Sequence, residues 1–280
     1  MRLSTVRLPN QRGTAAARLE GDELVLLPYS DVGELLASGD DWPERAAAEG
    51  GERIPLGTAS LAPVIPHPNK IVCLGLNYAT HIKEMGRLTP AHPTLFAKYD
   101  GSLVGANDNV VMPTVSDKLD WEAELGVVIG HRTRHVTADK ALAYVGGYTV
   151  VNDVTVRDWQ HRTREFLSGK TFESTTPVGP SLVTPDELPR GASGLAISCS
   201  VDGHTMQKSN TSDLLFDVAS IIAYVSTIIT LQPGDLIATG TPGGVGAGRD
   251  PKVFLQPGQE LVTVVEGVGE LRNIVAREEL

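Results

Sequence analysis

Apolar residues along this chain come mostly in short β-branched runs closed by glycine, proline or asparagine, a pattern of strands and turns. Residues 15–19 and 23–27 flank Gly21-Asp22 and predict a hairpin. Residues 32–37 suit a short helix, capped by Ser30 or Asp31 and closed by Gly39. The polar stretch from Asp40 to Gly51, rich in Ala, Glu and Gly, reads as a helix or a loop. Pro63, Pro66 and Pro68 then make a stiff linker. The chain therefore divides into a small α+β unit, residues 1–66, and a larger domain, residues 67–280.

Beyond the linker, strands are expected at residues 70–74, 94–98 and 110–112. A turn at 75–78 leads into a helix over 79–85 stopped by Gly86. Residues 127–129 and 148–152 continue the strand pattern, and helices are expected over 139–144 and 154–164, the latter followed by a loop around Gly169. One long helix, 213–229, carries an apolar stripe at Leu214, Val218, Ile221, Val225 and Ile228, with Asp213 and Asp217 in its first turns. Strands at 236–239 and 260–265 each follow a Gln-Pro-Gly turn. Strand and helix do not alternate regularly, which argues against Rossmann and barrel folds. The fold class is α+β and β-rich.

One stretch joins pattern to chemistry: Lys118-Leu119-Asp120-Trp121-Glu122-Ala123-Glu124-Leu125-Gly126-Val127-Val128-Ile129-Gly130. In a strand Glu122 and Glu124 face the same way, beside an apolar run, and Asp153 follows the next strand. Each acid alone has a bland explanation, a solvated strand face for the glutamates and a helix cap for Asp153. Together they make a seat for a hard cation, Mg²⁺, Mn²⁺ or Ca²⁺ rather than zinc. Crowding among three such acids implies that removing either glutamate relieves repulsion and leaves the chain folded.

Charge and composition narrow the partners. A net charge of −10 with no basic cluster argues against nucleic acid, while a bound cation would still admit a small anionic substrate. With 41% hydrophobic and 21% charged residues the chain is an ordinary globular one. Cys73 and Cys199 read as two buried free thiols in a reducing cytosol. The first ten residues have no apolar core of a signal peptide, and the longest apolar run, 221–231, is too short to span a bilayer. A cytoplasmic protein without membrane contact is expected.

His81 and Glu84 stand three apart on the short helix and share a face, either as a weak surface pair or as a histidine base oriented by a carboxylate. Lys170 is by default an exposed lysine in a glycine loop; beside a metal it would stabilise developing negative charge. Gly169-Lys170-Thr171 lacks the earlier glycine of a phosphate loop, and the glycine-rich 239–246 does not fit a dinucleotide fingerprint.

In order, Gly75-Leu76-Asn77-Tyr78 with His81 and Glu84, then Glu122-Ala123-Glu124, Asn152-Asp153, Gly169-Lys170, Thr211-Ser212-Asp213 and Thr239-Gly240-Thr241-Pro242-Gly243-Gly244-Val245-Gly246 resemble the fumarylacetoacetate hydrolase family. The resemblance covers about residues 67–280, and the first 66 look like the small N-terminal domain of many bacterial members. It implies a mixed β-sandwich roll, a homodimer, and Mg²⁺ or Mn²⁺, with Ca²⁺ as a substitute, on Glu122, Glu124 and Asp153. It implies further that His81 and Glu84 activate water, that Lys170 stands beside the metal, and that Gln160, Gly240, Thr241 and Lys98 reach substrate. The implied substrates are acylpyruvates such as fumarylpyruvate, met in the breakdown of aromatic compounds. Hydrolysis of their C–C bond through an enolate is the first expectation. Decarboxylation of an oxaloacetate-type acid and isomerisation of a hydroxymuconate-type diene are the rivals. The intact residue set argues against a relative that only binds ligand.

Overall fold

The computed structural model describes residues 1–9, 13–84 and 88–279, without the side chains of His81, Lys83 and Glu84. Strands dominate it. Among the described residues a 12-stranded mixed sheet runs in the order Arg53–Pro55, Glu23–Leu26, Thr14–Glu20, Arg2–Arg7, Thr176–Val183, Val145–Asn152, Ala123–Ile129, Leu236–Ala238, Ile71–Gly75, Thr94–Lys98. Ser60–Leu61 and Leu103–Val104 pair onto it from the side. A second, five-stranded sheet runs His204–Asn210, Ala196–Val201, Glu260–Val265, Gly269–Arg277, Val110–Met112. This is the β-rich mixed architecture expected, with few helices.

Alternation along the central strand explains the layers. Leu125, Val127 and Ile129 point into the core shared with the five-stranded sheet, where Ile197, Cys199, Leu261 and Leu271 meet them. Val128 points the other way, into a second cluster with Leu35, Leu36 and Trp42 from the helices Val32–Ala37 and Trp42–Ala47. Buried on both faces, the strand Ala123–Ile129 is a fixed platform. The first 66 residues join the same sheet, because Arg2 and Leu3 pair with Val183 and Leu182.

The hairpin at Gly21, the helix Val32–Ala37 with Asp31 as its cap, and the expected strands lie close to where the pattern puts them. Two helices do not. Residues 154–164 are not one helix: β-branched Thr155–Val156 pair with Leu119–Asp120, one helical turn follows at Arg157–Gln160, and Lys170 closes another turn, Leu167–Lys170, rather than an open loop. The long helix begins at Val218, capped by Asp217, not at Asp213. Residues 214–216 are held out of the helix because Leu215 and Phe216 donate their backbone N–H groups to Asn77. Asp213 therefore has no helix dipole to complement; it accepts from Thr80. No described helix is long and apolar enough to cross a membrane.

Candidate metal centre

Antiparallel register brings the acids together. Ala123 pairs with Asn152, so Glu122 and Asp153 meet just past the paired ends, and Asp153 donates its backbone N–H to the Glu122 carbonyl at 2.9 Å. The Asn152 side chain secures the corner, accepting from Glu122 N–H at 2.9 Å and donating to Thr263 Oγ1 at 2.8 Å. One ligand atom each from Glu122, Glu124 and Asp153 then falls within 4.8 Å of the others, and all three residues are buried.

Cations frame these acids. Lys170 Nζ donates to Glu122 Oε2 and Asp153 Oδ2, both at 2.7 Å, with the Phe96 ring 5.1 Å from it. Lys98 Nζ donates to Asp153 Oδ1 at 2.6 Å and to the Val154 carbonyl. Arg157 Nη2 lies 2.7 Å from Glu122 Oε1, in charge contact but off the hydrogen-bonding angle, while its Nη1 donates to Gln160 Oε1 at 2.9 Å. Gly169 makes this arrangement possible, since a Cβ there would come within 2.3 Å of the Gln160 backbone N. Only glycine lets the turn carrying Lys170 lie on the turn carrying Arg157 and Gln160.

The glutamates have unlike surroundings. Burial pushes the Glu122 carboxyl up, but Lys170 and Arg157 outweigh it and hold it below the usual carboxylate range. Burial also raises Glu124, and there the neighbouring charges of Asp153 and Glu122 add to it, so the group sits well above 4.5. Glu124 accepts one bond, from Gly240 N–H to Oε2 at 2.7 Å, and its buried Oε1 has no partner. Burial disfavours the Lys170 ammonium, yet Asp153 and Glu122 more than offset that and raise it.

An orphaned carboxylate oxygen aimed among acids is where a hard cation fits. Glu122, Glu124 and Asp153 would hold it. Charge supports the fit. Around Glu124, the carboxylates of Asp120, Glu122 and Asp153 match the cations Lys98, Lys170 and Arg157 in number. A divalent ion there would add positive charge to that frame and so favour an anionic substrate.

Of the other expected site residues, Gln160 is brought in on Arg157 and Gly240 on Glu124. Thr241 Oγ1 accepts from Gln207 Nε2 at 2.8 Å, and Gln207 Oε1 accepts from Ala123 N–H at 2.9 Å. The side chains of His81 and Glu84 lie outside the described residues. Their helix, Ala79–Glu84, is tied near its start by Thr80 to Asp213. Sequence reasoning missed Arg157, Asp120 and Gln207, and quoted Asn152 in a motif without giving it a role. For Asp120 a signal existed, since it continues the alternation of Glu122 and Glu124.

This arrangement can be set beside known proteins. The family model Fumarylacetoacetate (FAA) hydrolase C-terminal matches residues 70–276. The chain belongs to that family. A curated relative, the mitochondrial oxaloacetate tautomerase Fahd2a of Rattus norvegicus, is 42% identical over 82% of this chain and 74% of its own length. The structure of 5-carboxymethyl-2-hydroxymuconate delta-isomerase from Mycobacterium smegmatis superposes with a TM-score of 0.83 at 30% identity, covering 99% of this chain and 100% of that one. Maleylpyruvate hydrolase from Sphingobium sp. SYK-6, solved with manganese(II) and pyruvate, gives 0.81 at 30% identity, with both chains fully covered (100% each).

Proposed function

We propose that this chain is a metal-dependent enzyme of enolate chemistry, acting on a small 2-oxo diacid, with keto–enol interconversion of an oxaloacetate-type substrate as its reaction. The partnerless Glu124 oxygen within a frame of Glu122, Asp153, Lys98, Lys170 and Arg157 carries the reading. The oxaloacetate tautomerase relative at 42% identity supports the choice of substrate over the hydrolase at 30%. A divalent ion, Mg²⁺ or Mn²⁺, would supply Lewis-acid polarisation of the 2-oxo group when bound.

The chain's own residues do the rest. Lys170 has three N–H bonds and uses two on Glu122 and Asp153, so one is left for the oxygen on which charge builds. Thr241 and Gly240, fixed by Gln207 and Glu124, offer polar groups at the edge of the seat. In the tautomerisation a proton leaves the carbon beside the carbonyl and another arrives on the oxygen. His81, which the resemblance pairs with Glu84, is assigned that transfer. The homodimer implied by the resemblance and the cytoplasmic location expected from the sequence belong to the same reading.

Hydrolysis of an acylpyruvate is the second reading, favoured by the His81 and Glu84 pair and by the maleylpyruvate hydrolase neighbour. One set of assays separates them. Oxaloacetate is followed for enol absorbance and for pyruvate formation, and fumarylpyruvate for loss of its diketone absorbance, each with Mg²⁺ and with chelator. Interconversion of enol and keto oxaloacetate that needs Mg²⁺ supports the proposal. Metal-dependent cleavage of the acylpyruvate without interconversion would replace it with hydrolysis.

A further inference from the structure

Asp120 is fully buried, and the proposed reaction gives it no task. It stands two residues before Glu122, on the strand Leu119–Asp120, outside the acids that gather at the seat. Its carboxylate is saturated. Oδ1 accepts from the backbone N–H of Trp121 at 2.9 Å and of Gly246 at 2.7 Å. Oδ2 accepts from Ala247 N–H at 2.9 Å and from Arg157 Nε at 2.7 Å. One buried carboxylate thus joins the acid strand, the turn Arg157–Gln160 and the glycine-rich loop.

Each arm of the joint leads to the seat. Arg157 carries the contact on to Glu122 Oε1, 2.7 Å from its Nη2. The loop is strung between two acids of one stretch, four residues apart on successive strands: Gly246 and Ala247 on Asp120, Gly240 on Glu124. Gln207 staples its middle, donating to Thr241 Oγ1 and the Pro242 carbonyl, both at 2.8 Å. Gly246 reaches Asp120 because it has no side chain: a Cβ would come within 1.9 Å of the Val253 carbonyl oxygen and 2.8 Å of Asp120 Oδ1. Arg157 cannot turn from Asp120 without leaving buried charge unpaired.

We infer that Asp120 is a positioning residue. Through Arg157 it aims the Glu122 carboxylate at the cation, and through Gly246 and Ala247 it sets the loop that carries Gly240 and Thr241. The inference rests on the reading that Glu122, Glu124 and Asp153 hold a divalent ion, and it puts the control of their geometry outside the ligand set.

Mn²⁺ binding to the full chain, followed by electron paramagnetic resonance, tests this without turnover. Asp120→Asn keeps the shape but turns an N–H₂ group toward N–H donors. Leu24→Ala, in the core of the N-terminal hairpin, is the control for a general loss of stability. Asp120→Asn should bind Mn²⁺ about 10- to 100-fold more weakly, while Leu24→Ala melts at a lower temperature and binds as wild type. Action through Arg157 requires that Asp120→Asn add little to the effect of Arg157→Lys in the double variant. Unchanged Mn²⁺ affinity in Asp120→Asn, or full additivity in the double variant, overturns the inference and leaves the metal reading standing. Failure of the wild type to bind Mn²⁺ overturns both. If Asp120→Asn does not fold, Ala247→Pro takes its place, since it removes one N–H from Oδ2 and spares the carboxylate. Severalfold weaker Mn²⁺ binding then supports the inference, and unchanged binding overturns it.

Discussion

Lys170 Nζ lies 2.7 Å from Glu122 Oε2 and spends a second bond on Asp153, so its charge is matched before any substrate arrives. The lysine opposes a cation at the seat rather than helping to hold it. Methionine at 170, of similar length, should leave Mn²⁺ binding as tight as in wild type or tighter. Turnover should fall by about 10²- to 10³-fold, because the donor facing the developing oxygen charge is gone. Mn²⁺ titration beside steady-state kinetics checks both. Loss of Mn²⁺ binding would mean that Lys170 keeps the acids in place.

Glu122 and Glu124 should answer mutation in opposite ways. Glu124 is held above its usual 4.5, so the folded chain keeps a proton that the unfolded chain has lost. Its contribution to stability is full below pH 4.5 and declines as pH rises through the folded-state value. Glu122 is held below 4.5, so its contribution is full above that pH and is lost as pH falls through its folded-state value. Glu124→Gln in chelator should flatten the decline at rising pH and abolish Mn²⁺ binding. Glu122→Gln leaves Lys170 and Arg157 against a neutral group, at a cost of about 3–5 kcal/mol. Relief of crowding is thus kept for Glu124 and reversed for Glu122. Melting temperatures in chelator from about pH 5 to 8 decide it, and equal values for the two variants would sink the contrast.

What the chain announces about its site is what strand alternation can carry. Glu122 and Glu124 share a face because of period two, and Asp153 follows the neighbouring strand, so the acid cluster is legible before any coordinates. Arg157 is hidden because Thr155 and Val156 pair with Leu119 and Asp120, across a gap no local window spans. That pairing breaks the helix expected over 154–164 and leaves Arg157 between Asp120 and Glu122. The reach of the large sheet is hidden for the same reason, since Arg2 meets Val183. Asp213 misled because the apolar stripe runs on through residues 214–216, which Asn77 holds out of the helix.

Gly169→Ala tests whether the close approach of two helical turns matters to the site. The new Cβ would lie 2.3 Å from the Gln160 backbone N, so the turn Leu167–Lys170 must move off Arg157–Gln160. Overpacking of this kind costs about 1–3 kcal/mol, and it also pulls Lys170 from Glu122 and Asp153. The variant should melt lower and lose turnover out of proportion to its folded fraction. Wild-type turnover per folded molecule would show that the contact serves packing alone.

The proton carrier separates the reactions this seat could run. Enolisation moves a proton off carbon and hydrolysis takes one from water, whereas decarboxylation needs neither transfer. His81 and Glu84 stand three apart on the helix Ala79–Glu84, the spacing of one face. His81→Ala should therefore lower oxaloacetate interconversion by about 10²- to 10⁴-fold, with little change in Mn²⁺ affinity. Any oxaloacetate decarboxylation should persist. Any limb of the wild-type kcat–pH profile that reports this histidine should disappear in the variant. Interconversion that survives intact in His81→Ala would move the proton transfer to another group and remove the strongest reason for giving His81 a chemical role.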